Sequence, residues 1–108
     1  MKKYITINDI KNIEHTVQEA IQLKKNPYQF ENLGKNKTLV MLFFNASLRT
    51  RLSTEKAAKT LGMNVMVLNI DDCWDLEYDN GTIMNLTKAE HIKEAANVIS
   101  QYGDVIAI

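Results

Sequence analysis

The apolar run from Thr38 to Phe44 breaks abruptly into Asn45-Ala46-Ser47-Leu48-Arg49-Thr50-Arg51. No other feature constrains the fold as strongly. The run is far too short to cross a membrane and reads as a buried strand. Thr50 to Leu61 reads as a helix, stopped at Gly62 by a left-handed C-cap. A second strand, Asn64 to Ile70, carries Val65, Met66, Val67, Leu68 and Ile70 nearly without interruption. Near-continuous apolar strands are buried on both faces, as in a parallel sheet.

The rest of the chain extends this pattern. Thr6 to Lys25 reads as an amphipathic helix, capped by Thr6 or Asn8, with Ile10, Ile13, Val17, Ala20 and Ile21 at helical spacing. His15 lies off that stripe and is expected to be solvated. Glu31 to Lys37 is a polar loop. Asp71 to Leu86 is a long loop with a turn at Asp79-Asn80-Gly81. A third helix is expected from about Lys88 to Tyr102, with Thr87 and Glu90 as a capping box, Ile92, Ala95, Ala96, Ile99 and Tyr102 on its apolar face, and Gly103 as its stop. Val105 to Ile108 begins a third strand. The order α, β-α-β-α-β predicts an α/β fold, a parallel sheet with helices on both faces. Because the chain stops inside a strand, the expectation is an incomplete domain over residues 1–108, the N-terminal part of a longer protein.

Composition excludes several function classes. Thirteen basic residues balance thirteen acidic ones, which disfavours nucleic acid and polybasic membrane binding. Hydrophobic residues make up 45%, enough for a packed core. No apolar signal core follows Met1-Lys2-Lys3-Tyr4, and a lone Cys73 makes no internal disulfide, so the expected compartment is cytoplasmic. Neither a metal nor a cofactor is expected. Cys73 has no histidine near it in sequence, and the acidic residues Asp71, Asp72, Asp75, Glu77 and Asp79 lack the spacing of a calcium loop.

Ser47, Arg49 and Thr50 fall where a strand ends and a helix begins. The first turn of a helix has N–H groups without intrahelical partners and a partial positive charge. Two hydroxyls and a guanidinium fork added there suit a phosphate. There is no glycine-rich loop, so this is neither a Walker loop nor a dinucleotide fingerprint. The competing reading is that Ser47 and Thr50 are plain caps and the arginines are solvated. Arg51 is expected to be structural, pairing with Glu55 at i,i+4.

Ser-x-Arg-Thr-Arg after an apolar strand resembles the carbamoyl phosphate signature of the transcarbamylases. The wider stretch Phe43-Phe44-Asn45-Ala46-Ser47-Leu48-Arg49-Thr50-Arg51 is most similar to the N-acylornithine branch. A threonine usually stands at the place of Leu48 in the ornithine and aspartate branches. The resemblance covers essentially the whole chain but only the first part of a transcarbamylase. It implies a carbamoyl phosphate site at Ser47, Leu48, Arg49 and Thr50, an N-acylornithine co-substrate, a role in arginine biosynthesis and a homotrimer. It also implies that Trp74 reaches the site of a neighbouring subunit. A tryptophan in the acidic loop Asp71 to Glu77 is itself unusual, and folding back onto its own domain is the alternative. No general base is identified; His91 reads as structural or substrate-adjacent.

In the acylornithine branch the residue ahead of the Glu-His pair lies near the acyl group. Here that residue is Ala89, ahead of Glu90-His91. It brings no charge against an anionic succinyl tail, which leans the expectation to N-succinyl-L-ornithine over N-acetyl-L-ornithine. The alternatives are an ornithine transcarbamylase, or a phosphate-binding α/β module without turnover. A receiver-type regulatory module is disfavoured, since no acidic cluster gathers at the strand ends.

Overall fold

A computed structural model describes residues 4–70, 75–81, 83–84, 88 and 90–108. The chain forms two compact units, Met1–Phe30 and Glu31–Ile108.

In the first unit a 3-10 turn, Ile7–Asp9, precedes helix α1, Ile13–Lys25. The single helix expected from Thr6 is therefore split. The Asp9 carboxylate folds back to accept from the N–H groups of Ile5 and Thr6, at 2.8 and 2.9 Å. Asn12 then starts the α-helix afresh, its Oδ1 accepting from the His15 N–H at 3.0 Å. Short polar side chains compete in this way with a continuous backbone ladder. His15 is exposed, 3.5 Å from Glu19.

The second unit holds β1 (Thr38–Phe43), α2 (Leu48–Thr60), β2 (Asn64–Asn69), β3 (Leu76–Glu77), β4 (Glu90–His91), α3 (Ile92–Tyr102) and β5 (Val105–Ala107). The main sheet has the order β2-β1-β5, all parallel. Alternate residues of β1 face opposite sides. Leu39 and Met41 pack with Ala58 of α2, together with Val65, Val67 and Ala107. Val40 and Leu42 pack with Ala95 and Ile99 of α3, and with Ile70 and Leu76. The sheet thus carries a helix on each face, as the pattern predicts. An Asp104 clip closes the β1–β5 end: its carboxylate accepts from the Thr38 N–H at 2.8 Å, and its N–H donates to the Thr38 carbonyl at 2.9 Å.

Further expectations need correction. Full burial holds for the centre of β1 but not for β2, where Met66 is 48% exposed. Among the described strands β2 is an edge, so α2 covers one of its faces better than α3 covers the other. Helix α2 begins at Leu48, two residues before the expected start, because Ser47, itself non-helical, gives its carbonyl to the Arg51 N–H at 3.1 Å. Helix α3 begins only at Ile92. Glu90 and His91 are extended and pair with Leu76 and Glu77 in a short parallel ladder. The expected capping box is replaced by His91, whose Nδ1 accepts from the Lys93 N–H at 3.1 Å; Thr87 lies outside the described residues.

Candidate functional site

The site is built at the C-terminal end of β1. From there the chain enters α2 on one face of the sheet, while β5, arriving from α3 on the other face, pairs with the far side of β1. Connections diverge at such a switch point and leave a crevice outside the strand ends. An open cleft of about 390 Å³ lies there, lined by Phe43, Asn45, Ala46, Ser47, Leu48, Arg51 and Asn69.

Helix α2 presents an uncapped start to this cleft. The Ser47 side chain makes no cap hydrogen bond. Its Oγ instead donates to Thr50 Oγ1 at 2.9 Å. The N–H groups of Leu48, Arg49 and Thr50 precede the first intrahelical bond and have no acceptor within the helix. The first turn holds no acidic residue. Three backbone donors, two linked hydroxyls and two guanidinium groups within one turn make a site for a multiply charged oxyanion.

Ser47 and Leu48 line the cleft, and Thr50 joins it through Ser47. Arg49 is exposed on the same turn without lining the cleft wall. Trp74 and Ala89 lie outside the described residues. Arg51 departs from expectation. Glu55 pairs with Lys59 at 2.6 Å, and that hydrogen bond is the main reason the Glu55 carboxyl sits below its ordinary range, with Arg51 the weakest contributor. Arg51 is left to line the cleft. Asn45 and Asn69 are further lining residues that the sequence did not single out. Asn45 stood inside the quoted stretch; Asn69 joins it only because β2 pairs Asn69 with Phe43.

Among the described residues no group of three His, Cys, Asp or Glu side chains is placed to hold a metal ion. No helix among them is long and apolar enough to cross a membrane.

These features define a parallel α/β domain with a donor-rich cleft at a strand-to-helix junction. Residues 2–108 match the family described as aspartate/ornithine carbamoyltransferase, carbamoyl-P binding domain, and the chain belongs to that family. It is 49% identical, over 109 aligned positions, to the N-succinylornithine carbamoyltransferase of Bacteroides thetaiotaomicron, covering 100% of this chain and 34% of that protein. It is 41% identical over 97 positions to the N-acetylornithine carbamoyltransferase of Xanthomonas campestris, covering 89% of this chain and 28% of that one. A mutant N-acetyl-L-ornithine transcarbamylase solved with carbamyl phosphate and N-succinyl-L-norvaline superposes with a TM-score of 0.83 at 36% identity, covering 98% of this chain and 32% of that one. The chain spans about a third of the length of the curated relatives it matches.

Proposed function

We propose that residues 1–108 supply the carbamoyl phosphate site of an N-acylornithine carbamoyltransferase acting in arginine biosynthesis. The observation that carries this reading is the uncapped start of α2, with Ser47, Arg49 and Thr50 on one turn beside the cleft. Carbamoyl phosphate offers a reactive carbonyl and a phosphate leaving group. An uncharged side-chain amine attacks the carbonyl carbon, and the C–O bond to phosphate breaks. Phosphate departs with the bonding pair, and the nitrogen gives up a proton. The N–H groups of Leu48, Arg49 and Thr50, the hydroxyls and Arg49 hold the phosphate and stabilise its growing charge. This is catalysis by position and electrostatics, with no covalent enzyme intermediate. A lone cysteine and balanced charge suit a cytoplasmic setting.

The acyl group is assigned as succinyl. Ala89 sets no negative charge against the tail carboxylate, and relatives named for the succinyl substrate are 48–49% identical, against 38–41% for those named for the acetyl one. The test is the specificity constant of the full-length protein with N-succinyl-L-ornithine, N-acetyl-L-ornithine and ornithine. The succinyl compound is expected to lead by at least about tenfold, the worth of one well-placed charge interaction. A lead for the acetyl compound would reverse the acyl assignment alone, and a lead for ornithine would remove the branch.

The same reading makes the assembly a homotrimer in which Trp74 completes a neighbour's phosphate site. Arg49→Ala and Trp74→Ala, each inactive alone, are expected to regain activity when their subunits are exchanged. In a trimer some sites then receive a wild-type residue at both positions. No recovery after exchange has been verified by mass would place Trp74 in its own subunit's structure.

A further inference from the structure

We infer that His91 is a positioning residue whose two ring nitrogens staple the Asp79–Gly81 turn to the start of α3. The staple thereby ties together the two ends of the stretch from Asp79 to His91, in which Ala89 falls by sequence. The inference rests on the function proposed above, since it gives that segment its purpose.

The partners dictate the state of the ring. Nδ1 lies 3.1 Å from the Lys93 N–H, which can only donate. Nε2 lies 3.1 Å from the Asp79 carbonyl oxygen, which can only accept. The tautomer that satisfies both partners carries its proton on Nε2. A plain cap needs only the first of these two bonds, so the second calls for its own explanation.

Asp79 is held at both of its backbone groups. Its carbonyl meets His91, and its N–H donates to Glu77 Oε1 at 3.0 Å. Glu77 and His91 are direct partners in the β3–β4 ladder. The other Glu77 oxygen, Oε2, meets Lys88 Nζ at 3.3 Å. The Asp79 N–H first, and Lys88 with it, hold the Glu77 carboxyl below its ordinary range, which keeps it an acceptor. Leu76, next to Glu77, is 5% exposed and packs in the core with Ala95 and Ile99. The ring of contacts is thus rooted in the sheet and in α3. By connectivity Ala89 immediately precedes Glu90. A staple at this place fixes the backbone of Glu90 and His91, to which Ala89 is attached.

Two variants of the full-length protein separate stapling from capping. His91→Asp keeps a cap acceptor for Lys93 but has no proton to give Asp79; His91→Ala loses both bonds. Hydrogen exchange followed by mass spectrometry reads the peptide over residues 75–81 without substrate. Exchange there is expected to speed up about 3- to 10-fold in both variants, the equivalent of one lost hydrogen bond. KM for the acylornithine is expected to rise by a similar factor in His91→Asp, with kcat within about twofold and an unchanged melting temperature. Unchanged exchange in His91→Asp would overturn the staple and leave a cap. Faster exchange with unchanged KM would overturn the positioning role. A wild-type protein inert toward carbamoyl phosphate and every ornithine derivative would instead overturn the functional reading, whatever the exchange shows.

Discussion

Arg49→Ala is expected to lower carbamoyl transfer by ~10²–10³-fold while leaving the protein folded, the usual loss when one preorganised donor to a developing charge is removed. The effect is large because phosphate gains charge as the C–O bond breaks, and Arg49 shares its turn with three N–H groups that have no intrahelical acceptor. The structural cost is small. Arg49 is exposed and has no ion-pair partner among the described residues, and substitutions at such places stay within about 0.5 kcal/mol. Arg49→Lys sharpens the test: it keeps the charge but loses the two-pronged donor geometry, so it should fall between wild type and alanine. Steady-state turnover with saturating acylornithine, beside circular dichroism of each variant, measures both sides. Near-normal turnover in folded Arg49→Ala would mean that the backbone N–H groups and Arg51 hold the phosphate without it.

The second large effect is structural. Gly62→Ala is expected to destabilise the protein clearly more than Gly81→Ala, although both glycines sit at nearly the same left-handed φ, +80° and +84°. Gly62 ends α2 in a Schellman motif: its N–H donates to the Lys59 carbonyl at 3.0 Å, and the Met63 N–H donates to the Ala58 carbonyl at 3.0 Å. A side chain in that conformation costs roughly 1–2 kcal/mol at either place. The surroundings differ. A Cβ on Gly62 would stand 2.0 Å from the Glu31 carbonyl oxygen, whereas a Cβ on Gly81 meets nothing within 4 Å. The clash is with backbone, which cannot rotate away as a side chain would. Gly62→Ala must therefore distort the cap or displace Glu31, adding to the backbone cost. Denaturant midpoints for the two variants, each against wild type, give the comparison. Equal losses would show that the Glu31 backbone yields freely and that only the left-handed conformation matters.

The cap at Gly62 is legible in the sequence, as are the strand before Asn45 and the passage from that strand into a helix, though not the helix's first residue. In each case the signal is local. A run of apolar residues long enough for period to be read, followed by a glycine or a cluster of hydroxyls, leaves the backbone few alternatives. The errors fall where that local signal is weak or contested. Asp9 and Asn12 both offer acceptors near the first helix, and the sequence does not rank them. The β3–β4 ladder is two residues on each side, too short to show alternation. His91 looked like an early helical residue because its neighbours suit a helix, yet the ladder holds it extended and makes it the cap.

Arg51 and Asn69 mark the boundary between the two kinds of information. The sequence alone determined that the donors of Ser47 to Thr50 would gather where a buried strand runs into a helix start, because they are neighbours in the chain. Which other groups share the cleft was decided by packing. Arg51 and Lys59 each lie one helical turn from Glu55, and Glu55 pairs with Lys59, the orientation of Glu before Lys being the favoured one. Asn69 reaches the cleft because parallel pairing sets β2 against β1 in a register that aligns their ends. A residue's partner across a sheet depends on where a distant strand lands, and that follows from burying the faces of β1, not from the residues beside it.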